Sequence, residues 1–305
     1  MRSWTHTQLK IMDYNILITT DILQEFLIEP QSGMVHSVYR HTVNLLFGTQ
    51  IVALQTADSP VSPISILLPV TDPELQSLGL APGDPCRAGG GVFSITNTDW
   101  KTLWVRFGPE TEIRKTRLLP GGKAAGRRQD VLLRSAHQIL SEHPLGLAPV
   151  VLSTQYPDDL VLRSAQKTLL RVQHRILEED WNGAAKLLCS LLGLGGGLTP
   201  SGDDFLTGVL AGLQYLDPDH PLQTALADEL RFRLLDPATT NIISAAFLQC
   251  AAAGHFSSAI LAFFERTGDT GDALDTAAGR FLAIGHSSGV DSLSGIAFVL
   301  QHIHL

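Results

Sequence analysis

Between Val35 and Phe107 the apolar residues fall in short runs, VHSVYRHTVNLLF, QIVALQT, SPISILLPV, GVFSI and LWVRFG, each closed by Gly, Pro, Asp or Ser. Short runs rich in β-branched and aromatic residues between turn formers predict strands, and several in succession predict a small sheet or barrel. After Arg128 the apolar spacing lengthens to three and four. This predicts helices over Asp130–Glu142, Asp159–Glu179, Gly183–Leu192, Asp203–Tyr215, Leu222–Leu235, Thr239–Ala253, Ser257–Arg266, Gly271–Ala283 and Asp291–His302. In Asp159–Glu179 the residues Leu160, Leu162, Ala165, Leu169, Val172 and Ile176 share one face, which reads as core. The change of period predicts an α+β chain, with a small β-rich N-terminal domain over residues 1–125 and a mostly α-helical domain over residues 126–305.

Composition adds exclusions. With 44% hydrophobic and 17% charged residues over 305 positions, the chain has enough apolar material for a packed core. A net charge of -8 argues against a nucleic-acid surface, which needs clustered Lys and Arg. The one basic stretch, Arg114–Arg128, reads as a solvated linker between domains or as a contact for an anionic partner. Cys86, Cys189 and Cys250 are odd in number and far apart, which suits a reducing cytoplasm and offers neither a disulfide framework nor a zinc knuckle. The N-terminus has no secretion-signal pattern, and no apolar run approaches the roughly 20 residues that span a bilayer, so a soluble cytoplasmic protein is expected.

Two segments stand out for chemistry. The first is GLGGGLTPSGDDFLTG, Gly193–Gly208. Ser201 with Asp204 three residues on reads as a capping box. Capping does not account for Gly195, Gly196 and Gly197, whose open main-chain amides suit a bound carboxylate or phosphate. Asp203 and Asp204 beside such an anion require a cation between them, or a ligand amide that donates to them. A divalent cation held by Asp203 and Asp204 is therefore the metal expectation, its identity left open. The second segment is IGHSSGVDSLSG, Ile284–Gly295, where His286, Ser287, Ser288 and Asp291 precede an apolar helix. Here too the plain alternative is a helix cap and a loop histidine. Gly285–Gly289 spells G-x-S-x-G, but the preceding FLAI continues a helical pattern where a nucleophile elbow needs a strand. A third stretch, PATTNIISAAFLQCAAAGHF, sets Thr239, Thr240, Asn241 and Ser244 at a helix start, where they serve as caps, back-bonds or pocket lining.

Taken together, GLGGGLTPSGDDFLTG, TTNIISAAFLQCAAAGHF and GHSSGVDSLSG resemble the signature blocks of the AllH family, long catalogued as a domain of unknown function. The resemblance implies a subunit of an oxamate carbamoyltransferase, which converts oxalurate and phosphate into oxamate and carbamoyl phosphate during allantoin use. It implies as partners an FdrA-like subunit and a second, larger subunit, and a small anionic substrate. Carried over residue by residue, it reaches the motif glycines, Thr199, Ser201, Asp203, Asp204, His286, Ser287, Ser288 and Asp291, and gives none of them an individual role. Their own chemistry makes Asp203, Asp204 and His286 the expected catalytic set, and Gly195, Gly196, Gly197, Thr199, Ser201, Gly202, Ser287, Ser288 and Asp291 the expected substrate-binding residues. Carbamoyl transfer needs oriented anions and a stabilised oxyanion, which loop amides can supply. After Asp180 the only cations are Lys186, Arg231, Arg233, Arg266 and Arg280, none inside a motif, so a partner subunit is expected to supply the phosphate's countercharge. The competing class is a non-catalytic scaffolding or ligand-binding subunit whose motifs pack helices or form an interface.

Overall fold

The computed structural model describes residues 12–122, 125–152, 158–265 and 276–304. The chain divides into two compact units, Met1–Thr116 and Arg117–Leu305.

In the first unit the strands are β1 Met12–Asn15, β2 Ile18–Thr20, β3 Gln31–Val38, β4 Thr42–Phe47, β5 Gln50–Gln55, β6 Ser65–Leu67, β7 Pro85–Gly89, β8 Val92–Thr96, β9 Thr102–Arg106 and β10 Glu112–Arg114. They form one sheet in the order β1-β9-β8-β7-β3-β4-β5-β6-β2-β10. Because only Ile16 and Leu17 separate β1 from β2, a single segment serves both ends of that order. Ile16 N–H donates to Arg106 O on β9 (2.8 Å), and Leu17 N–H donates to Leu67 O on β6 (2.9 Å). The sheet is thereby curled on itself. Strands β7, β8 and β9 alternate buried with more exposed residues, as a one-faced strand must. Their inward side chains, Cys86, Phe93, Ile95, Leu103 and Val105, meet Phe26 and Leu27 of the short helix α1, Gln24–Ile28.

The expected strands are present, and β1, β2, β7 and β10 join them. Gly89–Gly91 turn a tight hairpin: Gly89 pairs with Val92, leaving Gly90 and Gly91 at φ 61° and 78°. Two positive φ values in a two-residue turn match the right-handed twist of the strands. The Gly90 and Gly91 amides donate to Ile28 O and Leu27 O at the end of α1.

The second unit holds α3 Ala125–Glu142, α4 Ala148–Val151, α5 Leu160–Leu177, α6 Trp181–Leu188, α7 Ser201–Leu216, α8 Pro221–Arg233, α9 Ile242–Ala252, α10 Ser258–Glu265 and α11 Ser288–His302 (α2, Asp72–Ser77, lies in the first unit). Residues 271–275 of the helix expected over Gly271–Ala283, and Arg266 at the end of the one before it, lie outside the described residues. On α5, Ala165, Leu169, Val172 and Ile176 are buried as expected, whereas Leu160 is exposed in the turn that Asp159 caps. The stretch expected as a solvated linker is part of the fold: Leu118 is buried, its N–H donates to Gly254 O, and Gly121 N–H donates to Tyr215 O. Leu118 is apolar enough to be drawn into the helical core despite its basic neighbours.

Helices α7 and α11 form the centre. Both are buried nearly all round, which marks helices enclosed by others. They cross in main-chain contact. A Cβ on Gly208 would lie 1.9 Å from Ser292 O, one on Gly295 2.0 Å from Phe205 O, and one on Gly212 2.8 Å from the Val299 Cβ. Helix α3 closes the far end of the pair, where Gln129 Nε2 donates to Leu300 O (2.8 Å) and Ile303 O (2.6 Å).

Candidate functional site

The N-terminal ends of α7 and α11 meet. Thr199 Oγ1 lies 2.7 Å from Ser288 Oγ, which joins the two glycine-bracketed segments across 89 residues. The third segment joins them as well. Thr240 donates its hydroxyl proton to Asp203 Oδ2. Asn241 caps α9 by accepting from Ile243 N–H and Ser244 N–H, and its Nδ2 donates to Leu198 O (2.9 Å).

Asp203 is buried, at 2% exposure. Its other oxygen, Oδ1, accepts from Gly193 N–H (2.8 Å). Each oxygen of Asp203 thus has a protein donor, and the side chain pins the start of the glycine loop and the start of α9 to the first turn of α7. Burial pushes its pKa up, while Thr240, Gly193 and Ser244 pull it down. Ser201 is the first residue of α7 rather than its cap, and the residue before it, Pro200, makes no side-chain cap. The expected capping box of Ser201 with Asp204 is absent because the helix already begins at Ser201, which leaves the cap position to Pro200, whose side chain has no hydrogen-bonding atom.

Asp204 differs from its neighbour. It is only partly buried as a residue, yet its Oδ2 is buried and makes no hydrogen bond. Burial, reinforced by the negative charges of Asp291 and Asp203, pushes its pKa up to about 8, against the pull of the Thr199 and Ser288 hydroxyls. Near neutral pH it is a carboxylic acid that holds a proton. Asp291, in the first turn of α11, is completely buried. Its Oδ1 accepts from Leu147 N–H (2.7 Å) and its Oδ2 has no hydrogen-bond partner. Burial raises its pKa to about 6, opposed by Leu147 N–H and by the Ser201 and Ser287 hydroxyls. At pH 7 it is mainly ionised. Two neighbouring carboxyls with pKa values set apart by their surroundings are the usual signature of divided acid and base roles.

The remaining expected residues are placed as follows. Gly195, Gly196 and Gly197 are exposed, and a Cβ on Gly196 or Gly197 would meet nothing. Gly202 is buried, and a Cβ there would lie 1.9 Å from Leu191 O, so close packing explains that glycine. His286 is exposed in the turn before α11, and among the described residues its ring makes no hydrogen bond or ion pair. Among the described residues no three His, Cys, Asp or Glu side chains gather as a metal-ligand set. The donor bonds already made by Asp203 explain why the Asp203–Asp204 pair does not present two free carboxylates to a cation. The three cysteines are unpaired, Cys86 and Cys189 being buried. No helix among the described residues is long and apolar enough to cross a membrane.

Sequence reasoning singled out Thr240 without finding its partner, and it missed the turn at Gly146–Leu147 that holds Asp291. The Pro-Leu-Gly-Leu-Ala-Pro run at 144–149 signals a turn, but nothing in it points to a residue 144 positions away.

Two family models match the chain. One, described as the AllH family N-terminal domain, covers residues 13–112, and the other, described as oxamate carbamoyltransferase subunit AllH, covers residues 191–300. No solved structure matches it.

Proposed function

The chain belongs to the AllH family, and on that premise we propose that it serves in a carbamoyltransferase complex of the oxamate carbamoyltransferase type and binds the carbamoyl end of the substrate at the joined starts of α7 and α11. The observation that supports this most is Asp204: a carboxyl kept protonated near pH 7, lying where three distant segments converge, with one oxygen left without a partner. A ureido group has a carbonyl that accepts from such an acid and N–H groups that donate to hydroxyls and carboxylates. A phosphate dianion beside ionised Asp291 would be repelled, so the phosphate's countercharge belongs to the partner chains, in this reading an FdrA-like subunit and a larger one.

In the forward reaction a phosphate oxygen attacks the ureido carbon of oxalurate, the bond from that carbon to the oxamate nitrogen breaks, and the nitrogen takes up a proton. Asp204 supplies that proton or donates a hydrogen bond to the developing oxyanion, and the proton released by phosphate restores it. The open amides of Gly195–Gly197 and the hydroxyls of Thr199, Ser201, Ser287 and Ser288 orient the substrate, with His286 and Gly202 at the same helix starts. Asp203 is a positioning residue, since both its oxygens are engaged within the fold.

A second reading, a scaffolding subunit, is favoured by the glycines at Gly202, Gly208, Gly289 and Gly295, all explained by main-chain contact. The deciding experiment is carbamoyl phosphate formation by the complex co-purified from its native operon. Asp204→Asn is expected to lower turnover by about 100-fold or more with the fold intact, the usual scale for removing a general acid. His286→Ala should also lower it. Wild-type turnover in both variants would sink the catalytic reading and leave the scaffold.

A further inference from the structure

Asp291 is held by a segment that carries none of the sequence motifs and lies outside both matched stretches, the turn Leu145–Leu147 that leads into α4. This turn is tightly built. Leu145 N–H donates to His143 O, Ala148 N–H donates to Leu145 O, and Leu147 and Ala148 are fully buried. Leu147 N–H points at Asp291 Oδ1, 2.7 Å away. Gly146 has φ 52°, and a Cβ there would lie 2.0 Å from Asp291 Oδ1 and 2.5 Å from Oδ2. Nothing larger than hydrogen fits between this main chain and the carboxylate. The far oxygen of Asp291 has no hydrogen-bond partner, and its charge acts on Asp204 across the joined helix starts.

We propose that Gly146 and Leu147 are a fourth segment of the site, a positioning element that fixes the Asp291 carboxylate so that its negative charge stands beside Asp204 and keeps the proton there. The role rests on the reading of Asp204 as the acid, and it makes Gly146, Leu147 and Asp291 positioning residues rather than catalytic ones. The charged groups around Asp291 are few. Helix α7 brings Asp203 and Asp204, and α4 with its preceding turn carries no titratable side chain. The 3-10 turn Arg280–Ala283 brings Arg280, which is exposed. Along α3 lie Arg127, Arg128, Asp130, Arg134, His137 and Glu142, whereas the influences on Asp291 are burial, Leu147 N–H and two serine hydroxyls.

An alanine at 146 must push the carboxylate off Leu147 N–H. Losing a donor to the charged form raises the Asp291 pKa, Asp291 becomes neutral near pH 7, and Asp204 loses a like charge that had raised its own pKa. Carbon-13 carboxyl NMR titration of the full chain labelled at aspartate, with Asp204 assigned by its Asn variant, reads this directly. Gly146→Ala and, separately, Asp291→Asn should each lower the Asp204 midpoint by on the order of one pH unit. The alkaline limb of carbamoyl transfer by the complex should fall by the same amount. An unmoved Asp204 midpoint in Asp291→Asn overturns the proposal whatever the transfer assay shows, whereas loss of the acid reading itself is decided by Asp204→Asn. Should Gly146→Ala fail to fold, which its φ of 52° alone can cause, the Asp204 midpoint in Asp291→Asn carries the test by itself.

Discussion

The loop Gly193–Pro200 and the crossing of α7 with α11 are both built on glycine, for opposite reasons. In the loop, Gly196 and Gly197 have open space where a side chain would stand, so the main chain is left accessible. At the crossing, Gly208 and Gly295 have no space at all, and each helix rests on a carbonyl of the other. The crossing brings the first turns of the two helices together, and the loop then lies over a place where Asp203 is spent on structure and Asp204 is left with a free oxygen. One motif thus combines a rigid support with an open edge. Glycine in a sequence pattern says only that a side chain is unwanted, not whether a ligand or a neighbouring helix is what displaces it.

Substitutions can pull these two roles apart, and the largest effect is expected at the crossing. Gly295→Ala should destabilise by about 3 kcal/mol or more, the upper range for overpacking, because its Cβ meets Phe205 O at 2.0 Å. Helix propensity alone predicts the opposite sign, a gain of about 1 kcal/mol. Urea unfolding decides, and a stabilised variant would remove the close crossing.

Thr240→Val should cost about 1 to 3 kcal/mol, since it leaves a buried carboxylate oxygen of Asp203 without its donor. Equal denaturation midpoints for variant and parent would show that Asp203 does not bind the third segment to α7.

The pH dependence of Asp204 has a definite sign. Its folded pKa of about 8 lies above the ordinary 3.8, so the stability associated with its proton is full below 3.8 and is lost as pH rises through 8. The slope from one such group is at most about 1.4 kcal/mol per pH unit. Asp204→Asn should flatten the decline of stability between pH 4 and 8 and leave the variant the more stable chain at pH 9, which thermal unfolding across that range measures. Parallel curves would mean that Asp204 is ionised in the folded chain at neutral pH. The smallest effect is expected in the loop: Gly196→Ala should change stability by less than about 0.5 kcal/mol. A large loss there would mean that the loop packs against something after all.

Much of the architecture was legible because period reports burial. Short β-rich runs gave way to a spacing of three and four after Arg128, and the sheet and the helices lie on the two sides of that change. The short strands β1, β2 and β10 were not legible. They are three or four residues long, and pairing with β9, β6 and each other, rather than any apolar pattern of their own, makes them strands. The linker expected over Arg114–Arg128 was misjudged because composition registers its charges and not Leu118, whose burial is decided by where α7 and α9 end.

Of the site, the sequence by itself determined the residue types and the places: two glycine-bracketed acidic segments and a hydroxyl-rich helix start, each recognisable within a few positions. Local chemistry suffices for that, because caps, turns and glycines are set by near neighbours. Which acid serves structure and which keeps a proton was decided only by the tertiary structure. Asp203 and Asp204 are adjacent in the chain, but one turns toward Gly193 and Thr240 and the other toward the charge of Asp291. A carboxyl's pKa depends on burial and on groups a few ångströms away, and here those groups come from positions 10 to 144 residues apart in sequence.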